Sequence, residues 1–275
     1  MPTLTSLARP RYALSSNLRE LLCRLANRVT WPEADYLLDP QQRFVYCPIA
    51  KAACSSVKRW FLEISGDTRP FRGHDDARLE EYALRMQHGA ALGLLRSERI
   101  YTFTFVRNPW SRLVSAYLNK CLTLNKISER FLRSLGQGNA VEQGRVLRLQ
   151  PTVTFRQFVH FLSTGNPRQF DVHWRPQHLF LRDNRFDFIG RVERLEQDFA
   201  TVGAQLGINH PLGHINVTRY GRQSSGDIVA DCTPQQLQAR GAYPDYRQFY
   251  PPELQQLVGQ IYARDIELFG YSFEE

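Results

Sequence analysis

The chain has 275 residues, of which 43% are hydrophobic and 23% are charged, and 35 Lys and Arg residues against 27 Asp and Glu residues give a formal net charge of +8. This composition is typical of a globular protein and excludes disorder over most of the chain. Charged residues interrupt every hydrophobic run before it reaches the ~18 residues that a membrane-spanning helix needs, so the sequence predicts no such helix.

Arginine carries nearly all of the positive charge, because the chain has only four lysines, namely Lys51, Lys58, Lys120 and Lys126. A guanidinium group can hold two oxygens of a phosphate, sulfate or carboxylate at once. The charge therefore favours an anionic partner, although a generally arginine-rich composition explains it equally well. The five cysteines show neither Cys-x-x-Cys nor Cys/His spacing, so we expect no zinc site, no disulfide framework and a reducing compartment.

The first structured unit is expected after an N-terminal extension at residues 1–40, in which only a short helix over Leu18–Ala26 is indicated. The hydrophobic run Phe44–Ile49 has the length of a strand, and Ala52–Ile64 is typical of a helix. A single domain is predicted over residues 41–275, because no repeat or low-complexity tract divides them.

A second strand and helix follow in the same order. Ile100–Val106 is a β-branched and aromatic run, Asn108 suits the N-cap of a helix, and Pro109 suits its first position. The hydrophobic spacing predicts one buried helix face, made of Trp110, Leu113, Val114, Tyr117, Leu118 and Cys121.

A third unit places a strand at Phe186–Val192 before a helix over Leu195–Leu206, which Gly207 closes. Strands that alternate with helices predict an α/β fold of three layers, with a central parallel sheet flanked by helices.

Two further helices and one loop complete the predicted elements. Helices are expected over Thr152–Leu162 and, as one continuous element, over Pro252–Phe269, whereas residues 213–231 have the glycine and serine content of a mobile loop. The terminal helix is predicted to face inward through Leu254, Leu257, Val258, Ile261, Tyr262 and Ile266.

The loop after the first strand has the features of an anion site. In an open parallel sheet, ligands bind at the carboxyl ends of the strands. Lys51 lies in this turn, and small residues follow at the helix start, where backbone N–H groups and the positive end of the helix can approach a tetrahedral anion. No glycine occurs between residues 42 and 65, so this is not the loop of nucleoside triphosphatases. The alternative is that the small residues serve close packing, as they often do at the start of a helix.

A second anion site is predicted where the next strand ends. Arg107 follows that strand directly, and Ser115 lies about one and a half turns into the helix, where it can face the same edge. Two such sites on neighbouring strands suit a ligand with two separated phosphate-like groups. The alternative is that Arg107 pairs with a local carboxylate and Ser115 is an ordinary helix residue.

Together these loops resemble a known family. The segment YCPIAKAACSSVKR at residues 46–59 is similar to the 5′-phosphosulfate loop of carbohydrate sulfotransferases of the chondroitin and dermatan type, sulfotransferase family 2, and FVRNPWSRLVSAY at 105–117 resembles their 3′-phosphate signature. Three more segments follow in family order, namely His173–Gln177, Phe186–Glu193 and Tyr262–Tyr271. The resemblance spans about residues 42–272, and the order of the blocks carries it more than any single block.

The resemblance implies a transferase that moves the sulfuryl group of 3′-phosphoadenosine 5′-phosphosulfate (PAPS) to a carbohydrate hydroxyl by in-line displacement, on a sheet similar to that of P-loop nucleotide kinases. Carried over, Arg107 and Ser115 would bind the 3′-phosphate, and Lys51 would also assist the leaving phosphate, with no metal required. The 5′-phosphosulfate would be held by Lys51, Ala52, Ala53, Cys54, Ser55, Ser56 and Val57.

Two histidines are candidates for the base that takes the proton of the acceptor hydroxyl, because histidine titrates near neutral pH. His74 is the first choice, since it lies between the two donor loops, where family members place a histidine near the acceptor. His173 is the second. A solvent-exposed loop histidine and a buried structural histidine, respectively, are the alternatives.

The chain also departs from the Golgi members of the family. It has Phe180–Asp183 where they carry a closely spaced cysteine pair, and it shows no N-terminal membrane anchor. We therefore expect a soluble, cytoplasmic enzyme, a bacterial relative, with peripheral membrane contact left open. Its acceptor, an oligosaccharide, polysaccharide or glycolipid, stays open as well.

Three other functions were weighed. A catalytically inactive relative that binds a glycan or the nucleotide has the same motifs. An ATP-dependent kinase on the same fold needs a magnesium-binding carboxylate where the chain has Arg107. A nucleic-acid-binding protein needs a concentrated basic stripe, whereas the arginines here are spread among acidic residues, so no nucleic-acid partner is expected.

Overall fold

A five-stranded mixed sheet organises the part of the chain that the computed structural model describes, which comprises residues 36–67, 69–73, 76–84, 99–123, 140–142, 145–147, 153–181, 185–213, 226–241 and 243–275. The strands are β1 (Tyr36–Leu38), β2 (Phe44–Cys47), β3 (Ala83–Leu84), β4 (Tyr101–Val106), β5 (Ala140–Glu142), β6 (Arg145–Leu147) and β7 (Phe188–Arg191). The sheet order is β3-β1-β2-β4-β7, and β5 pairs with β6 in a separate antiparallel hairpin.

The α-helices are α1 (Cys54–Ile64), α2 (Pro109–Tyr117), α3 (Phe155–Ser163), α4 (His178–Leu181), α5 (Leu195–Leu206), α6 (Pro234–Gln238), α7 (Pro252–Ile261) and α8 (Ala263–Phe269). Short 3₁₀ turns occur at Ala77–Tyr82, Pro167–Gln169, Val192–Arg194 and Tyr246–Phe249, and a π-helical turn at Leu118–Thr123 extends α2. Among the described residues, no helix combines the length and the hydropathy needed to cross a membrane.

Helices cover both faces of the sheet, which confirms the predicted three-layer α/β architecture. On one face, Phe44 and Tyr46 of β2 pack in a cluster with Trp60 of α1 and Phe199 of α5. On the other face, Val45 and Cys47 pack with residues of α4 and α8. Every residue of β2 is buried, as expected for a strand sandwiched between two helical layers.

The sheet is parallel only at its centre. The predicted parallel arrangement holds for β2, β4 and β7. The structure adds β1 and β3, which pair antiparallel at the β2 edge. Their three and two residues are too few for a period-2 pattern to emerge, which is why the sequence did not predict them.

Helix α2 is buried on all sides, so the prediction of a single buried face was wrong. All nine residues from Pro109 to Tyr117 are buried, including Ser111, Arg112 and Ser115. The predicted hydrophobic face packs against α3 and α7. The polar face is buried as well, because Arg112 contacts the β2–α1 loop and the segment at residues 172–175. The N-cap prediction is confirmed, because the Asn108 side chain accepts the N–H groups of Trp110 and Ser111.

The C-terminal helical region is broken in two, which corrects the prediction of one continuous helix. Tyr262 separates α7 from α8 with φ −109° and ψ 20°, and its buried hydroxyl donates to the Trp174 carbonyl at 2.5 Å. In the predicted mobile loop, Val229 and Ala230 are fully buried in the core, whereas residues 214–225 lie outside the described part. The helix predicted over Leu18–Ala26 also lies outside it.

Gly190 of β7 leaves room for the ring of Phe105 on the neighbouring strand. A Cβ atom at this position would lie 2.4 Å from Phe105 Cε1. We predict that Gly190→Ala lowers the free energy of unfolding by about 1–3 kcal/mol through overpacking, as measured by urea denaturation. Gly259→Ala in α7 is the control, because its Cβ would meet Trp110 at an ordinary 3.6 Å. Equal stability of the two variants would contradict this packing role.

Candidate active site

The loop between β2 and α1 adopts an unusual backbone conformation. Lys51 and Ala53 both have positive φ angles, 66° and 57°, in a region that residues other than glycine rarely occupy. Ala53 is the N-cap of α1 and provides no side-chain cap. The first turn of α1 therefore presents its N–H groups and the positive end of its dipole without a capping side chain.

The small residues of this segment contribute their main chain. The side chains of Ala52 and Val57 are fully buried in the core on opposite faces of the sheet. Only their main-chain groups are left for a ligand. Lys51, Cys54 and Ser55 are partly exposed.

Four cations surround the loop, and we refer to Lys51, Arg107, Arg112 and Lys120 as the cationic cluster. Burial, together with repulsion from the other three cations, lowers the pKa of Lys51 to about 8 against an opposing effect of Cys54. A lysine held in this way gains stabilisation from an added anion. The cluster is thus electrostatically suited to a phosphate or sulfate group.

Arg107 lies beside the loop that carries Lys51. Because β2 and β4 are parallel neighbours, their carboxyl ends lie side by side, and Arg107 Nη1 lies 3.5 Å from the Lys51 carbonyl oxygen. The Arg107 Nε donates to Ser111 Oγ at 2.9 Å. The structure therefore brings the two predicted anion loops together. Ser115, the predicted partner of Arg107, is buried one turn further along α2.

The main chain of Arg107 is held from the C-terminal half of the protein. Gln177, which is fully buried, accepts the Arg107 N–H at 2.9 Å and donates to the Arg107 carbonyl at 2.8 Å. The buried carboxylate of Asp265 in α8 accepts the N–H groups of Gln177 and His178 at 2.6 and 2.9 Å. Asp265 thus positions Arg107 through Gln177.

Asn108 is fixed in the same manner. Its N–H donates to Glu193 at 2.7 Å, and its side-chain amide donates to the Ser272 carbonyl at 2.7 Å. Tyr271 donates to the other oxygen of Glu193 at 3.1 Å. The end of β4 is therefore anchored by residues from two distant segments.

His173 is paired with a carboxylate near the cationic cluster. Its Nδ1 lies 2.5 Å from Asp171 Oδ1, and its N–H donates to the same oxygen at 2.9 Å. Burial acts to raise the pKa of Asp171, but the hydrogen bonds from His173 and the charge of Lys120 outweigh it, so the pKa lies below its usual value. Arg112 donates to the carbonyl oxygens of both Ala50 and Val172, which connects the segment of this pair to the loop between β2 and α1.

A neutral imidazole that hydrogen-bonds to the ionised Asp171 through Nδ1 must carry its proton there. The lone pair of the ring is then on Nε2. This Asp–His arrangement is the geometry of an oriented general base. The other predicted base, His74, lies outside the described residues.

One buried hydroxyl of β2 has no hydrogen-bond partner among the described residues. Tyr46 Oη makes no hydrogen bond with the described residues, although the side chain is fully buried. Burial raises the pKa of Tyr46 well above its usual value, and the Cys54 thiol at the start of α1 adds to this effect. A buried donor close to the uncapped helix end is thus left without an acceptor.

Several residues of this site were missed by the sequence analysis. Asp171 could have been found by its position two residues before His173, a spacing typical of Asx turns. Ser111 had no such signal, because Arg107 lies outside the helix that contains Ser111. Gln177 and Asp265 lie in segments of the family resemblance, but no role could be predicted for them, because the contacts Gln177–Arg107 and Gln177–Asp265 join residues 70 and 88 positions apart in the chain.

Comparisons with known proteins were made on the whole chain. The family described as "Sulfotransferase family" matches residues 34–272. Carbohydrate sulfotransferase 14 of Homo sapiens is 30% identical over 176 residues, which cover 59% of this chain and 44% of that protein. Carbohydrate sulfotransferase 11 of Rattus norvegicus is 26% identical over 263 residues, which cover 86% and 66%.

A third relative, carbohydrate sulfotransferase 8 of Mus musculus, is 27% identical over 221 residues, which cover 76% of this chain and 50% of that protein. The chain spans about half the length of most of these curated relatives. No solved structure matches the chain. Since the family match extends over most of the sequence, this protein belongs to sulfotransferase family 2.

Proposed function

We propose that this protein transfers the sulfuryl group of PAPS to a hydroxyl of a carbohydrate acceptor. The observation that carries the proposal is the adjacency of two anion-binding loops, one at the start of α1 with Lys51 and one at Arg107. The two loops suit the two phosphate positions of one adenine nucleotide. Membership in a sulfotransferase family supports the reaction class.

The residues present fit this donor. Burial and mutual repulsion disfavour the positive charge of Lys51 within the cationic cluster. A bound dianionic group would offset this repulsion and stabilise the charged form of Lys51. The uncapped first turn of α1 offers main-chain N–H groups, and Tyr46 Oη is a buried donor close by. Helix N-termini with such groups are common phosphate sites.

The roles of the residues follow from their positions. When bound, the donor supplies the sulfuryl group, whose S–O bond to the 5′-phosphate breaks as a bond to the acceptor oxygen forms. Lys51 and the N–H groups of α1 stabilise the negative charge that grows on the departing phosphate. Arg107, whose guanidinium donates to Ser111, binds the 3′-phosphate together with Ser115.

His173 is proposed as the base that takes the acceptor proton at Nε2, with Asp171 holding the ring. His74 remains the other candidate. The acceptor class rests on the relatives, whose names identify them as carbohydrate sulfotransferases.

The reaction is tested by transfer of labelled sulfate from PAPS to a panel of oligosaccharides and glycolipids. We expect transfer to at least one of them by the wild type. His173→Ala should lower kcat by about 10²–10⁴-fold, because the base is lost, while binding of adenosine 3′,5′-bisphosphate is unchanged. Asp171→Asn should show a smaller loss of kcat, because the ring remains but its tautomer is no longer fixed.

His160→Ala is the matched control, since His160 is exposed on α3 away from the site. It should retain wild-type activity. If His173→Ala were as active as this control while His74→Ala lost activity, His74 and not His173 would be the base.

The lowered pKa of Lys51 predicts how donor binding depends on pH. In the free protein the charge of Lys51 is present below about pH 8 and is lost above it, whereas a bound phosphate favours the charged form. The affinity for adenosine 3′,5′-bisphosphate should therefore fall about tenfold between about pH 7 and pH 9, as measured by isothermal titration calorimetry.

Lys51→Arg supplies the control, because its charge persists over this range and its affinity should change little with pH. Lys51→Met should bind the bisphosphate weakly at every pH. Its free energy of unfolding near neutral pH should be higher than that of the wild type, because a buried cation is removed. A wild-type affinity that is constant from about pH 7 to pH 9 would show that Lys51 does not contact the nucleotide.

A further inference from the structure

We propose that Arg112 is a positioning residue that links the donor loop to the segment carrying His173, so that binding at one orders the other. The proposal rests on the proposed function for the identity of the ligand. The link itself rests on the contacts of one guanidinium group.

The guanidinium of Arg112 spans two separate segments. Its Nε donates to the carbonyl oxygen of Ala50 at 2.9 Å, next to Lys51. Its Nη1 donates to the Arg175 carbonyl at 2.8 Å, and its Nη2 approaches the Val172 carbonyl at 3.3 Å, next to His173. Because the guanidinium is rigid and planar, it fixes the separation of these carbonyls.

The exposed fraction of Arg112 is only 1%. Burial lowers the pKa of Arg112 against the opposing effects of Tyr262 and Asp265. Within the described part of the chain, all three of its hydrogen bonds go to main-chain carbonyl oxygens. A buried charge is costly, and a hydrophobic side chain of similar size often packs at least as well. We therefore attribute the presence of an arginine at this position to the hydrogen bonds of its planar guanidinium group rather than to core packing.

The consequence concerns the two reacting partners. Lys51 holds the departing phosphate and His173 faces the acceptor, so their relative position determines whether the reaction geometry is reached. A displacement of about 1 Å can cost about 10²-fold in rate. Arg112 touches neither reacting atom and acts through the two main-chain segments that it joins.

The test is hydrogen exchange on the full chain, with and without saturating adenosine 3′,5′-bisphosphate. In the wild type, the nucleotide should slow exchange in peptides over residues 48–53 and also over 171–176. In Arg112→Lys, one ammonium group cannot reach three carbonyls, so protection should persist at 48–53 and be lost at 171–176. A change of roughly five-fold per amide corresponds to one such hydrogen bond.

Arg156→Lys is the matched control, because this surface arginine of α3 pairs with Asp231 and Glu253 away from the site. It should keep protection in both segments. Should Arg112→Lys fail to fold, Arg112→Met fills the same space without a charge and should give the same loss at 171–176.

Exchange without nucleotide tests the link independently of the proposed function. Relative to Arg156→Lys, the Arg112 variants should exchange faster in both segments and nowhere else. Unchanged exchange there, or nucleotide protection at 171–176 that survives in the Arg112 variants, would overturn the link. If the wild type showed no protection at 48–53, the proposed donor would be wrong, while the comparison without nucleotide would still decide the role of Arg112.

Discussion

The parallel pairing of β2 with β4 is the constraint on which the site depends. It places the carboxyl ends of the two strands side by side, so the start of α1 and the guanidinium of Arg107 converge on one pocket. The register is held by Thr104, whose hydroxyl donates to the Cys47 carbonyl at 2.7 Å. Each loop taken alone could be explained by ordinary packing, and it is their adjacency in the sheet that indicates an anion site.

The second half of the chain supports this pocket rather than forming a separate one. Gln177 and Asp265 hold the backbone of Arg107, and Glu193 holds Asn108, the N-cap of α2. These contacts bury polar groups, and each is satisfied by a partner from a distant segment. The segments that carry the family resemblance are thus in physical contact with one another.

The site also contains groups that are unfavourable without a ligand. Lys51 is a half-buried cation among other cations, and Ala53 has a left-handed backbone conformation. Tyr46 Oη is buried and has no hydrogen-bond partner in the described part of the chain. Such features reduce the stability of the fold, and they are typical of sites prepared for a charged ligand. They are consistent with a pocket whose stability increases when an anion binds.

Three features could be predicted from the sequence, because each depends on a local pattern or on general rules for parallel sheets. They are the strand–helix units, the N-cap Asn108, and the position of Lys51 and Arg107 at neighbouring strand ends. The edge strands β1 and β3 could not, since they are too short to show a period. The complete burial of α2 and the break at Tyr262 depend on packing between distant segments. The same is true of the three carbonyls that Arg112 joins.

The central claim is that one nucleotide with two separated phosphates fills both loops. The most direct measurement is the thermal stabilisation of the wild type and of Arg107→Ala by adenosine 3′,5′-bisphosphate, AMP, ADP and ATP, with Arg59→Ala, an exposed arginine paired with Glu63 on α1, as the control. The account predicts that the bisphosphate stabilises the wild type and the control most, and that Arg107→Ala responds to the bisphosphate and to AMP alike. Equal stabilisation of the wild type by ATP and the bisphosphate, or an unchanged preference in Arg107→Ala, would contradict it.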